Sequence, residues 1–238
     1  MKFEELLKKL RSGKKPMLAV LIDPDKFNPE LVQLANESRV SCFLLGGSLL
    51  EKGDLNKTLK AIKKISAIPV VLFPGDEKQL SRGADGLLLL SLLSGRNPDY
   101  LIGKHVTAAP IIRRMKLPYL STAYLLIGNA HKSSTQKVTR TSPIDPRNKR
   151  YIINTAIAAE QLGFGAVYLE GGSGSKRSLP ADLIRTIRKE IALPLIVGGG
   201  IDSAQKTRDA IKAGANLVVI GNALEKNVYL LRDISLCF

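Results

Sequence analysis

The chain has 238 residues, 45% hydrophobic and 24% charged, with 20 glycines and 12 prolines; this is the make-up of a globular protein whose core needs no staples, and it excludes a disordered or low-complexity chain. Lysine and arginine number 36 against 21 acidic residues, a formal net charge of +15, which attracts phosphorylated ligands, nucleic acid or an anionic bilayer surface without choosing among them. Aromatic residues are only 5%, too few for the stacking platform of a single-strand binder, and the apolar runs stop well short of the ~18 residues a membrane span requires.

In chain order, the opening MKFEELLKKLRSGKKP reads as an amphipathic charged helix rather than a signal peptide, expected to pack on the outside or bottom of the domain. Eight short apolar runs come next: MLAVLID from residue 17, SCFLLGG from 41, IPVVLFP from 68, GLLLLS from 86, LPYLSTAYLLIG from 117, GAVYLEGG from 165, LPLIVGGG from 193 and NLVVIGN from 216. Most are continuously apolar, as parallel strands covered on both faces are. Helical patterns begin at Asn28, Asp54, Pro98, Tyr151, Pro180 and Ser203. In the one after Pro180, Leu183, Ile184, Ile187 and Ile191 make a single apolar face, and Gly163 and Gly214 stand where helices should stop. Between the third and fourth runs lies only GDEKQLSRGAD, room for a turn or two of helix. Repeated strand and helix alternation over eight strands specifies an α/β fold, a modified TIM (β/α)8 barrel in one domain over 1–238, with an irregular or shortened third helix. The segment 129–149 should be the longest irregular stretch and lie at the active face. Cys42 and Cys237 form no CxxC pair and, with no secretory leader read, point to a reduced cytoplasmic protein.

In such a barrel the loops after the strands share one face, so residues far apart in sequence become neighbours. Three late segments have the form of anion seats: GGSGSK, VGGGIDS and IGNALEK. Glycines let backbone N–H groups approach a phosphate, and the first turn of a following helix presents unpaired donors; tight turns that merely cap helices are the alternative. Neither the P-loop spacing nor a GxGxxG fingerprint is present. The first strand ends in LIDPDKF. Asp23 with Ser48 is a donor set for a hard cation such as magnesium when a substrate adds phosphate oxygens, and Lys26 is a candidate phosphate contact. The alternative makes Asp23 a turn acceptor and Asp25 a helix cap. His105 and His131 lack the spacing of a zinc site. Glu170, at the carboxyl end of the sixth strand, is a candidate base that takes a proton from an alcohol or acceptor that holds it, with a structural salt bridge or loop cap as the alternative. Tyr168 shares its face of the strand and is a candidate donor, with ordinary packing as the alternative.

Read together, LIDPDK, FLLGGS, AVYLEGGSGS, IVGGGID and VVIGNALEK closely resemble the geranylgeranylglyceryl phosphate synthase family, which includes the bacterial PcrB-type prenyltransferases. The resemblance implies a modified TIM barrel that is irregular where the third helix would be. It implies magnesium-dependent transfer of a geranylgeranyl group from its diphosphate to the sn-3 hydroxyl of sn-glycerol 1-phosphate, with release of diphosphate. Carried over motif by motif, Asp23 and Ser48 are the metal positions and Lys26 faces the diphosphate. Glycerol 1-phosphate is held by Tyr168, Leu169, Glu170, Gly171, Gly172, Ser173 and Gly174, with Gly199, Gly200, Gly221 and Asn222 completing its seat. Glu170 and Tyr168 are the catalytic pair. Some members carry lysine two positions before the first aspartate, where this chain has Leu21; that departure points to the branch of archaeal enzymes and their relatives in some bacteria. The same resemblance implies a homo-oligomer, dimer or hexamer, and no nucleic-acid partner. Tyr119, Tyr124 and the Ala158–Ala159 pair are candidate walls of a prenyl groove, with ordinary packing as the alternative.

The positive surface then has a use: drawing in two phosphorylated substrates and bringing the protein to an anionic membrane. Two other readings remain. The same reaction with another prenyl length, or another phosphate-binding barrel enzyme, shares the late anion seats; a noncatalytic binder of phosphorylated lipid or nucleic acid would tolerate loss of the Glu170 carboxylate.

Overall fold

A computed structural model describes residues 2–128, 134–175 and 177–238. His131, Lys176 and the first five residues of 129–149 lie outside the described residues. The eight strands are β1 (Met17–Ile22), β2 (Val40–Leu45), β3 (Val70–Leu72), β4 (Gly86–Leu92), β5 (Tyr119–Leu126), β6 (Ala166–Glu170), β7 (Leu195–Gly198) and β8 (Leu217–Ile220). Each pairs in parallel with the next, and β1 closes on β8. The helices are α1 (Phe3–Ser12), α2 (Pro29–Asn36), α3 (Leu55–Ile65), α4 (Lys104–Met115), α5 (Ser134–Thr139), α6 (Lys149–Gln161), α7 (Ala181–Glu190), α8 (Ala204–Lys212), α9 (Asn222–Lys226) and α10 (Leu230–Ser235). The expected barrel is present. Among the described residues no helix is long and apolar enough to cross a membrane.

The continuous apolar strands make sense once both faces are counted. Leu18, Val20, Phe43, Leu45, Val167 and Leu169 join the layer between sheet and helices, whereas Leu44, Val71, Leu88, Leu120, Tyr168, Ile196 and Val219 fill the barrel interior. Successive residues point to opposite faces, so a strand that is wet on neither side must be apolar at every position. Gly163 and Gly214 donate their N–H groups to Glu160 and Ile211 at the ends of α6 and α8, as their spacing predicts.

Helix α1 closes the bottom of the barrel rather than lying on its outside. Phe3, Leu6 and Leu10 are buried against Met17, Leu44, Leu88 and Leu217. The Phe3 ring lies so close to Gly86 that a Cβ there would collide with it. The plug therefore rests on a missing side chain in β4 as well as on its own apolar stripe.

Three irregularities matter for the mouth. No helix connects β3 to β4, as the short linker predicts. The chain enters α4 through a π-helical turn, Asp99–Gly103, which periodicity alone does not reveal; such turns are frequent at functional sites. The stretch after β5 is less irregular than expected: it holds α5, and Ile144 forms a parallel bridge to Ile127.

Candidate functional site

Glu170 is the last residue of β6, paired with Leu126 on one side and Gly198 on the other, and only 7% exposed. Its Oε1 accepts from the Gly172 N–H at 2.8 Å. Burial pushes the carboxyl up to about 7, against the opposing pull of the Gly172 N–H and the Tyr168 hydroxyl. A carboxyl poised there exchanges a proton near neutral pH, which is what a general base requires. Tyr168, on the same face, is 1% exposed, and burial together with the Glu170 charge holds its phenol well above the ordinary tyrosine value. It therefore stays protonated and acts as a donor.

The glycine run after β7 makes room for this pair. A Cβ on Gly198 would collide with the Tyr168 hydroxyl, and one on Gly199 with Glu170 Oε1, while coming within 2.7 Å of the Gly171 and Gly172 nitrogens. Gly199 also has φ +82°, in the left-handed region that side chains disfavour. The run first reads as an anion seat; its first member is there to admit the acid and the phenol.

A cavity of about 340 Å³ opens above them, lined by Tyr168, Glu170, Ser173, Gly174, Gly199, Gly200, Gly221 and Asn222 among others. Asn222 ties its rim: its Oδ1 accepts from Ser173 Oγ at 2.8 Å and from the Gly174 N–H at 3.1 Å. Lys226, the last residue of the IGNALEK segment, also lines it and is not among the site residues expected from sequence. Leu169 points away, into the layer beneath the helices. Gly171 and Gly172 form the turn that holds the Glu170 carboxylate instead of lining the cavity; Gly171 N donates to the Gly198 carbonyl at 2.9 Å.

Asp23 directly follows β1 as a turn acceptor, its Oδ1 receiving the Asp25 N–H at 3.0 Å. Burial raises its pKa, only partly offset by that hydrogen bond. It lies beside Gly47, whose Cβ would stand 3.4 Å from the carboxylate carbon, so the chain leading to Ser48 passes directly over it. Ser48 Oγ is 3.2 Å from Thr135 Oγ1. Among the described residues no cluster of three or more His, Cys, Asp or Glu could chelate a metal by itself. One half-buried carboxylate with a hydroxyl nearby still suits magnesium, which keeps several waters and takes substrate phosphates as ligands. Asp25 is not a helix cap. Its carboxylate accepts from the N–H groups of Glu51 and Lys52, both at 2.9 Å, and from that of Gly53, fixing the loop after β2. These bonds hold its pKa below the ordinary aspartate value. Lys26 Nζ pairs with Glu225 at 2.9 Å.

A second cavity, about 120 Å³, fills the slot where the missing third helix would pack. Leu87 and Leu89 of β4, Leu80 of the β3–β4 connection, and Ala108 and Ile112 of α4 line it, with Ser48 and Gly75 at one end. Lys104 bridges its edges, reaching Asp76 and Glu77 at 2.7 Å each, and Tyr100 donates to the Val138 carbonyl at 3.2 Å. Phe73, Tyr124 and Tyr168 stand between the two cavities, their ring centroids 5.1 to 6.1 Å apart. Tyr124 is thus a wall of the slot, as its sequence position allows. Tyr119 is not, being 54% exposed where β5 begins, and neither Ala158 nor Ala159 lines the slot: both belong to α6, with Ala159 on its buried face in the packing layer. Phe73 and Lys104 escape sequence reading because their roles depend on a gap between elements.

The PcrB family model matches residues 12–235. The chain belongs to the PcrB family. The geranylgeranylglyceryl phosphate synthase of Flavobacterium johnsoniae is 41% identical over 228 residues, covering 94% of this chain and 93% of its own. That of Korarchaeum cryptofilum is 38% identical, covering 93% and 92%. The crystal structure of (S)-3-O-geranylgeranylglyceryl phosphate synthase from Thermoplasma acidophilum in complex with sn-glycerol-1-phosphate superposes with a TM-score of 0.90 at 29% identity, covering 100% of this chain and 98% of that one. Members of this family thus share the fold over almost the whole length of the chain, and it is an enzyme of the prenyltransferase type.

Proposed function

We propose that this PcrB-family protein transfers the geranylgeranyl group of geranylgeranyl diphosphate to the sn-3 hydroxyl of sn-glycerol 1-phosphate and releases diphosphate. The observation that carries the reading is a polar, glycine-walled cavity set beside an apolar slot across the Phe73, Tyr124 and Tyr168 rings, with Glu170, poised at about 7, on the polar side of the boundary. A glycerophosphate suits the first cavity in size and polarity, and the apolar lining of the second suits the first part of an isoprenoid tail, the rest of which extends beyond its about 120 Å³. The Thermoplasma acidophilum relative, crystallised with sn-glycerol-1-phosphate, supports the first assignment.

The chain's residues divide the work. Ser173, Gly174, Gly199, Gly200, Gly221 and Asn222 seat the phosphate through backbone and small polar groups, and Lys226 adds positive charge at the rim. Tyr168, whose one hydroxyl proton bonds to Glu170 in the free protein, turns it to a glycerol oxygen when the substrate is seated. Glu170 orients the sn-3 hydroxyl and accepts its proton as the new C–O bond forms at the allylic carbon and the diphosphate leaves with the electron pair of the old one. Holding both reactants in register supplies much of the acceleration. Phe73, Tyr124 and Tyr168 present ring faces near the carbon as it gains positive character, an arrangement that stabilises cations. Asp23 with Ser48 would hold magnesium, which supplies charge neutralisation for the departing diphosphate. Lys26, released from Glu225, reinforces it.

The protein acts as a dimer or hexamer and meets the membrane peripherally, since its tailed substrate and product partition there. The decisive assay mixes purified protein, magnesium and sn-glycerol 1-phosphate with geranyl, farnesyl and geranylgeranyl diphosphates, and reads product mass. Preference for the geranylgeranyl donor and for this enantiomer over sn-glycerol 3-phosphate is expected. No product with any donor would overturn the assignment.

A further inference from the structure

Helix α4 has two apolar faces. The inner one, with Ala108 and Ile112 buried, walls the slot. The outer one carries Val106, 68% exposed, and is continued by Ile102, 59% exposed, on the π-helical turn that leads into α4; Ala109, Pro110 and Arg113, all exposed, follow on the same side. Residues spaced by three and four lie along one stripe of a helix. Helices that cover a barrel ordinarily keep that outer stripe polar.

The stripe ends in charge. Arg113, Arg114 and Lys116 are exposed at the carboxyl end of α4, and Arg82 donates to the Arg114 carbonyl at 3.3 Å. None of these four enters an ion pair among the described residues. The helix C-terminal partial negative charge offsets them only locally, so the region remains a positive edge beside an apolar strip. That pairing of chemistries, apolar side chains beside unneutralised cations, is how a surface segment sits in an anionic lipid interface.

We propose that the outer face of α4 and the π-helical turn before it, through Val106 and Ile102 with Arg82, Arg113, Arg114 and Lys116 around them, docks the protein on an anionic bilayer, with the tail slot just behind the contact. The proposal rests on the prenyl-transfer reading for its purpose: a tail drawn from the bilayer reaches the slot past the same helix that touches the lipid. A second copy of the chain is the less suitable occupant. A two-fold contact through this face would gather two sets of the same cations into one interface, whereas anionic headgroups neutralise them.

The test is co-sedimentation of the whole protein with vesicles of phosphatidylcholine, with and without phosphatidylglycerol, at about 150 mM salt. Binding to the anionic vesicles is expected, falling on the order of 30-fold in the Arg113→Gln, Arg114→Gln double variant and on the order of tenfold in Ile102→Asp with Val106→Asp. Neither pair lines a cavity, so turnover of detergent-solubilised substrate should be unchanged, which also shows that the variants are folded. Equal vesicle binding by wild type and both variants would overturn the proposal, as would no binding by the wild type. It would be overturned too if light scattering showed the Ile102 and Val106 changes splitting an oligomer instead of weakening vesicle binding. Vesicle binding through this face without prenyl transfer would refute the enzyme reading alone.

Discussion

The two halves of the mouth are built by different means. On the β6–β8 side, the cavity is shaped by what is missing: Gly198 and Gly199 leave space for Tyr168 and Glu170, and backbone groups with Asn222 tie the rim. On the β3–β4 side, an absent helix leaves a slot whose width is set by side chains, above all the Lys104 bridge to Asp76 and Glu77. Backbone construction gives a rigid seat for a small polar ligand. Side-chain construction gives a space that can adjust to a long flexible tail. Damage to the first half should therefore strike the chemical step or the fold, and damage to the second should strike affinity for the tailed substrate.

The largest contrast is expected from Glu170→Gln, which keeps an acceptor for the Gly172 N–H but abolishes the base. kcat should fall on the order of 1,000-fold, with KM for glycerol phosphate little changed and the acidic limb near pH 7 lost from the rate profile. A rate within a few-fold of wild type would remove Glu170 from the proton transfer.

The same variant should be more stable than the wild type at high pH. The folded carboxyl titrates near 7 against an ordinary value of 4.5, so between those values the folded state binds more protons than the unfolded one, and wild-type stability falls as pH rises through that window. Above it the buried charge costs the wild type about 3 kcal/mol. Thermal melts should show little gap between the two proteins at pH 4.5 and a widening one up to pH 7; a constant gap would mean that the carboxyl is not held neutral by burial.

Gly199→Ala tests whether the seat is as unforgiving as its geometry. The added methyl meets Glu170 Oε1 at a backbone φ of +82°, and a loss on the order of 100-fold in kcat/KM with a lower melting temperature is expected. Steady-state kinetics beside a melting curve separates the two effects. Lys104→Met should do least. Loss of the bridge is expected to raise KM for the prenyl diphosphate about tenfold, leaving KM for glycerol phosphate unchanged, with Lys104→Arg restoring much of the difference. If Lys104→Met changed both KM values equally, the slot and the polar cavity would not be separate halves.

How much of the molecule is legible in its sequence depends on the range of the interactions. All eight strands, the glycine stops of α6 and α8, and the missing third helix are written in local pattern, because a doubly covered strand is apolar throughout and a short linker has no room for a helix. Tyr168 and Glu170 are legible for a related reason: period-two alternation puts them on one face, and a carboxylate at the end of an apolar strand must look into the mouth. Asp25 misleads because its three partners, Glu51, Lys52 and Gly53, come from another loop, and nothing near Asp25 announces them. The Lys26–Glu225 pair spans the closure of the barrel, between the ends of β1 and β8.

The sequence by itself determined the architecture, the family and the acid at the carboxyl end of β6, since each depends on residue type at short spacing or on ordered motifs. Only the tertiary structure decided what surrounds that acid: a burial deep enough to lift its pKa to about 7, a glycine run that admits it, and an apolar slot across an aromatic divider. Desolvation and empty space are properties of how distant segments pack, and no local stretch of chain contains them.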